Sequence, residues 1–126
     1  MISPQFVVPD VVAAAEYYRD VFGFKILGYW QDPPVFTIVA RDDVEIQLGK
    51  ADVGAPPAPN AVRREDGLDA YIWVSDVDAL CAELKERGAK VVEPPELRSY
   101  KCYEMVVEDK FGYRLAFSMD VSGRAG

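Results

Sequence analysis

The sequence predicts an α+β protein built from two tandem βαβββ units, and three observations carry that prediction. Val8-Pro9-Asp10-Val11 returns as Val74-Ser75-Asp76-Val77, each time between an apolar run and an amphipathic stretch. Each amphipathic stretch ends at a glycine, Gly23 or Gly88, within one residue of the same register. After each glycine come strand-like segments separated by turn formers, so the order strand, helix, strand, strand, strand occurs twice. Self-similarity at about half the chain length is an internal repeat, and it sets the architecture before any single element is assigned.

The elements follow in order. Gln5 to Val8 is a short buried strand, and Pro9-Asp10 turns the chain with Asp10 placed to cap a helix. From Val11 to Val21 the apolar positions Val11, Ala14, Ala15, Tyr18 and Phe22 recur at helical spacing. Gly23 then supplies the left-handed residue that ends a helix. Phe24 to Trp30 is the next strand, broken by Asp32-Pro33-Pro34. Val35 to Ala40 and Val44 to Leu48 form a hairpin around Arg41-Asp42-Asp43, and Val44, Ile46 and Leu48 alternate with Glu45 and Gln47. Residues 1–50 thus make the first unit.

Residues 51–67, with Pro56, Pro57, Pro59 and two glycines, form a linker. Residues 68–119 make the second unit: strand 69–74, cap Asp76, helix 77–87 and strand 89–93. Pro94-Pro95 breaks the chain before strands at about 101–108 and 113–119. Val77, Leu80, Cys81 and Leu84 give that helix its inner face, and residues 120–126 form a tail.

Size and composition narrow the function. A chain of 126 residues is one compact domain, or two half-domains sharing a core. With 50% hydrophobic and 12% aromatic residues it has ample core material. A formal net charge of −7 argues against nucleic acid as a partner, since nucleic acid is held by basic surface. No apolar run approaches the ~18 residues of a membrane span, and no signal peptide opens the chain. Cys81 and Cys102 belong to no CxxC motif or disulfide pattern, which suits a reducing cytoplasm.

The chain resembles the vicinal oxygen chelate superfamily, which holds glyoxalase I enzymes, extradiol dioxygenases and bleomycin-resistance-type binding proteins. The residues that carry the resemblance are Val8-Pro9-Asp10-Val11 through Tyr17-Tyr18-Arg19-Asp20-Val21-Phe22-Gly23-Phe24, similar to a "VxD…FYxxxLGF" opening. Glu108-Asp109-Lys110-Phe111-Gly112-Tyr113-Arg114-Leu115 is similar to the "DPDGNxI" closing hairpin. The resemblance implies paired curved mixed sheets around a cleft, in a homodimer with the cleft at its interface. It does not imply one reaction, because the fold hosts several.

In the family's metal-dependent members, each unit supplies one ligand from its first strand and one from its last, typically His and Glu. Carried over through the motifs, those positions are Ser3, Gln47, Asp69 and Ala116. Ala116 has no donor, Ser3 and Gln47 are neutral oxygens, and only Asp69 is charged. The chain contains no His. The resemblance therefore implies no metal, no other cofactor and no family-type catalytic residues. Glu45 would replace Gln47 after a one-residue shift, but its alternation with Ile46 places it in solvent. Ser75 and Ser99 lie in turns without a base.

What remains is a binding surface. Trp30, Phe36, Trp73, Tyr100, Tyr103 and Tyr113 fall on or beside the strands that build the cleft, and aromatic faces suit planar ligands. Trp73, inside a continuous apolar run, is the one expected in the core. Tyr100-Lys101-Cys102-Tyr103-Glu104 is similar to the "WGxRE" of bleomycin-resistance-type proteins, with Tyr100 at the groove mouth. Glu104 is expected on a cleft strand, as a ligand contact, as an outward charge, or as a partner for Arg114. The candidate site is thus Trp30, Phe36, Gln47, Asp69, Tyr100, Tyr103 and Glu104. The implied function is metal-free sequestration of a planar, cationic small molecule. The alternatives are a diverged metal-dependent lyase, isomerase or dioxygenase, and a protein-binding domain.

Overall fold

The computed structural model describes residues 1–122 and contains two βαβββ units in succession. The first holds β1 (Gln5–Val8), α1 (Val11–Phe22), β2 (Lys25–Trp30), β3 (Phe36–Arg41) and β4 (Val44–Lys50). The second holds β5 (Ala70–Trp73), α2 (Val77–Glu86), β6 (Lys90–Leu97), β7 (Cys102–Glu108) and β8 (Arg114–Asp120). Each unit forms a four-stranded mixed sheet, ordered β1-β4-β3-β2 and β5-β8-β7-β6. In both, the first strand pairs parallel with the last and the other pairings are antiparallel.

The helices begin as the sequence expects. Asp10 accepts from the Ala13 amide at 3.0 Å, and Asp76 accepts from the Ala79 amide at 2.9 Å. Gly23 ends α1 at φ +72, whereas α2 ends on Arg87 with Gly88 left-handed one residue later, at φ +89. With 10 residues against 12, α2 is two shorter than α1, so despite that extra step Gly88 falls one residue earlier in its repeat. Val11, Ala14, Ala15, Tyr18 and Phe22 of α1, with Val77, Leu80, Cys81 and Leu84 of α2, are all buried. They join Phe6, Ile72, Tyr113 and Phe117 in one core shared by both units.

Two polar latches cross between the units at corresponding places in the repeat. Arg41, at the end of β3, donates twice to Glu83 of α2 at 2.7 Å and once to the Phe22 carbonyl at 2.9 Å. Asp109, in the turn between β7 and β8, accepts from the Tyr18 hydroxyl of α1 at 2.7 Å. Beside the second latch, Phe6 and Tyr113 stack with centroids 4.7 Å apart. Each hairpin turn therefore grips the helix of the other unit.

Three expectations are corrected. Trp73 is not core: it is 55% exposed, while Ile72 beside it is buried. β5 turns Ile72 into the core and Tyr71 and Trp73 to the other side, so pleating splits its apolar run into an inner and an outer set. Pro94-Pro95 does not end a strand, because β6 continues to Leu97. β6 is an edge strand and its register skips between Glu93 and Glu96, so the prolines sit where no ladder N–H is needed. Finally, Glu45 and Gln47 do not compete for one face. Two residues apart on β4, they lie on the same side, opposite buried Ile46 and Leu48.

Residues 51–67 hold one 3₁₀ turn, Asn60–Val62, and are otherwise without regular structure. Gly67 passes so close to that turn that a Cβ would lie 2.7 Å from the Asn60 carbonyl carbon. At the far end, β8 includes Asp120, and residues 123–126 of the expected tail lie outside the described residues.

Candidate functional site

Burying one face of each sheet under a helix leaves the other face open. On the first sheet the ladders place Gln5 beside Gln47, Gln47 beside Ile38, and Trp30 beside Phe36. Trp30 and Phe36 meet edge to face at 5.5 Å, and Trp30 is 46% exposed. Val7 and Glu45 complete this face. On the second sheet the same side carries exposed Tyr71 and Trp73 of β5, with buried Ala116 and Ser118 of β8 and Glu104 of β7 behind them. Tyr71 and Trp73 meet at 5.3 Å. Each face thus sets an aromatic couple with exposed ring surface beside amide, hydroxyl or carboxylate groups.

The four positions that correspond to family metal ligands are occupied by groups with other work. Ser3 donates to the Glu45 carbonyl at 3.0 Å. Gln47 accepts from the Gln5 amide at 3.1 Å. Asp69 lies just before β5, and both its oxygens accept backbone N–H groups, from Asn60 at 2.9 Å and Arg114 at 2.8 Å. It ties the 3₁₀ turn to the start of β8. Ala116 brings no donor and sits beside Tyr71 in the ladder, so an aromatic ring flanks the fourth position. Among the described residues no three His, Cys, Asp or Glu side chains gather as a metal site would require. The residues present do not fit the family's metal.

Glu104 is the polar centre of the second face. Only 3% exposed, its Oε1 accepts from the hydroxyls of Tyr71 at 2.9 Å and Tyr100 at 2.5 Å. The Tyr71 oxygen also lies 2.9 Å from Ser118 Oγ. Arg98 stands with Nε 4.0 Å from Glu104 Oε2, while its other nitrogens bind Glu93 at 2.7 Å and Glu96 at 3.1 Å. Arg114, the expected alternative partner of Glu104, pairs instead with Glu108 at 3.3 Å. Burial, then the bond to Glu104, pushes the Tyr100 hydroxyl up to about 12, although the residue as a whole is 56% exposed. The ring lies open while its oxygen is held against the carboxylate. The Tyr71 hydroxyl is raised as well, by burial first.

The candidate residues therefore divide. Trp30, Phe36 and Gln47 share the first face, and Tyr100 and Glu104 share the second. Asp69 is engaged by backbone at the root of β5. Tyr103 points to the helix side of its sheet, where its hydroxyl donates to Asp78 of α2 at 2.6 Å. Tyr113 is 5% exposed and stacked in the core. Sequence reasoning passed over Tyr71, Ser118 and Arg98. Period-two alternation around Ile72 would have turned Tyr71 outward with Trp73. Nothing local marks Ser118 or Arg98, which meet Glu104 only through strand pairing and a turn.

Three hollows border these faces. One of about 430 Å³ lies between Ile2, Pro4, Val44 and the Tyr71–Trp73 edge. A second, of about 400 Å³, is lined by Arg64, Leu68, Glu93, Arg98, Tyr100 and Glu104. The third, of about 430 Å³, sits at the seam beside the Arg41–Glu83 latch and reaches Trp73. Among the described residues no helix is long and apolar enough to cross a membrane.

Comparison with known proteins places this arrangement. The family model for the Glyoxalase/Bleomycin resistance protein/Dioxygenase superfamily matches residues 3–117. No curated protein matches the chain. Among solved structures, TioX from Micromonospora sp. ML1 superposes with a TM-score of 0.73 at 18% identity, covering 94% of this chain and 96% of that one. A superfamily member from Sphaerobacter thermophilus DSM 20745 gives 0.74 at 21% identity, covering 94% of each chain. A bleomycin resistance determinant encoded on the transposon Tn5 gives 0.74 at 16% identity, covering 95% of this chain and 97% of that one. At these identities the likeness is one of fold.

Proposed function

The chain belongs to the glyoxalase/bleomycin resistance protein/dioxygenase superfamily, and within it we propose that it sequesters a planar, aromatic, cationic small molecule without a metal. The observation that carries this reading is an aromatic couple with exposed ring surface on each sheet, on the side turned away from the core. Trp30 with Phe36 and Tyr71 with Trp73 offer broad apolar surface whose loss of freedom on binding is small. The donor set of Ser3, Gln47, Asp69 and Ala116 supports binding over metal-assisted chemistry, since one committed carboxylate cannot hold a divalent ion. The net charge of −7 favours a cationic ligand.

We further propose that the protein acts as a homodimer in a reducing cytoplasm. Open apolar side chains such as Val7, Leu27 and Trp73 give a second copy surface to cover, and Cys81 and Cys102 are buried free thiols. Likeness to a bleomycin resistance determinant supports drug sequestration as the biological role.

The two tryptophans make the test direct. Titration with a planar aromatic probe such as acridine should quench their emission saturably, and Trp73→Phe should remove most of the change if the second face is occupied. Recovery of a chemically altered probe, or a stoichiometric divalent metal in protein purified without chelator, would establish an enzyme instead. Sedimentation at micromolar concentration should give a dimer, and a monomer would refute that part.

A further inference from the structure

Glu104 is nearly sealed from solvent, 3% exposed, yet it borders a hollow of about 400 Å³. The two hydroxyls that cover it are held differently. Tyr71 stands on a paired strand, and its oxygen is fixed by Glu104 and Ser118 together. Tyr100 stands on the turn between β6 and β7, beside Lys101 at φ +66, with its ring 56% exposed. It reaches the carboxylate through its hydroxyl at 2.5 Å. One cover is built into the sheet, and the other hangs from a turn.

The charge around this carboxylate is unbalanced. Arg98 faces Glu93, Glu96 and Glu104, so three carboxylates surround one guanidinium. Arg98 bonds the two outer ones and stays 4.0 Å from Glu104, beyond hydrogen-bond reach. The hydrogen bonds to Glu104 thus come from neutral phenols, with Arg98 near it only as a distant ion-pair partner shared with two other carboxylates. A bond from a charged N–H donor is roughly twice as strong as one from a neutral group, and burial strengthens it further.

We propose that Glu104 is the anchor for a positively charged N–H group of the ligand, and that Tyr100 is its exchangeable cover. On binding, the ligand's donor replaces the Tyr100 hydroxyl at Oε1, and the freed ring lies against the ligand's plane. Tyr71 keeps the carboxylate oriented. The ligand class is a planar organic monocation with an amine, amidine or protonated ring nitrogen. This inference rests on the small-molecule reading above.

Two probes of nearly equal shape separate the ideas by calorimetry at pH 7.5. 9-Aminoacridine is a cation with N–H donors at that pH, and acridine is neutral. The wild type should bind 9-aminoacridine at least about tenfold more tightly than acridine, as a charge-assisted bond requires. Glu104→Gln should remove that preference. Tyr100→Phe uncovers the anchor, so it should tighten 9-aminoacridine about threefold, the worth of one neutral hydrogen bond. Should Glu104→Gln not fold, Tyr100→Phe decides alone, and unchanged or weaker binding overturns the exchange. Equal binding of the two probes by the wild type overturns the anchor but leaves the planar-ligand reading standing. Failure of both probes to bind overturns the two together.

Discussion

Tyr18→Phe removes a single oxygen from the joint between the units, which makes it a sharp test of how they are held together. Tyr18 is 1% exposed and donates at 2.7 Å to Asp109, itself 5% exposed. The other Asp109 oxygen already accepts the Phe111 and Tyr113 amides, each at 2.9 Å. Phenylalanine keeps the ring and its edge-to-face packing on Phe22 and Phe24. What is lost is a hydrogen bond to a charged group, and one buried carboxylate oxygen is left without a donor. Together these should cost about 2–3 kcal/mol. For a domain of this size that lowers Tm by roughly 6–12 °C.

The cost should also depend on pH. Burial raises Asp109 above its ordinary value, and the Tyr18 hydroxyl partly offsets the rise. A raised folded value means stability present below the unfolded value and lost as pH rises through the folded one. Removing the hydroxyl raises the folded value further, so the variant should suffer more at pH 7 than at about pH 4. Urea unfolding at both pH values measures this, with Tyr17→Phe as the control. A penalty at pH 7 below about 0.5 kcal/mol, or one no larger than the control's, would refute the latch.

Three further predictions follow from the same geometry. Gly23→Ala should cost about 1 kcal/mol more than Gly88→Ala in chemical unfolding. Both glycines are left-handed, but only at Gly23 would a Cβ strike the Arg41–Glu83 pair, at 2.4 Å from Arg41 Nη1. Equal costs would show that the pair moves freely. Glu83 is held down to about 2, first by its bonds from Arg41, so its stabilisation should fade as pH falls from about 4.5 to about 2. Both partners are partly solvated, so the effect is about 1 kcal/mol, and Glu83→Gln should flatten the acid limb by that amount. Asp69→Ala should destabilise by about 2 kcal/mol through its two backbone donors, equally with and without chelator. A loss seen only in metal-loaded protein would make Asp69 a ligand after all.

Much of the fold was legible because its signals are local. Helical spacing, the caps Asp10 and Asp76, and the glycines after each helix are properties of stretches shorter than a turn of sheet. The repeat then set the order of elements, since one unit confirms the other. Errors arose where a residue's fate depended on what covers it. Trp73 was expected inside because its neighbours are apolar, but β5 has only one buried face. Pro94-Pro95 was expected to end a strand, but an edge strand has no ladder partner on its outer side.

The sequence by itself determined two βαβββ units, their helical inner faces and a chain without histidine. It could do so because periodicity, capping chemistry and the absence of histidine are written along the chain. Only the tertiary structure decided that Asp69 is engaged by backbone and that Glu104 lies under Tyr71 and Tyr100. It also revealed that Arg41 and Asp109 clasp opposite helices. The reason is physical: besides the short Tyr100 and Asn60 bonds, these contacts join residues 33, 42, 45 and 91 positions apart. Strand pairing and a shared core bring such groups together, and no local pattern records where their side chains will meet.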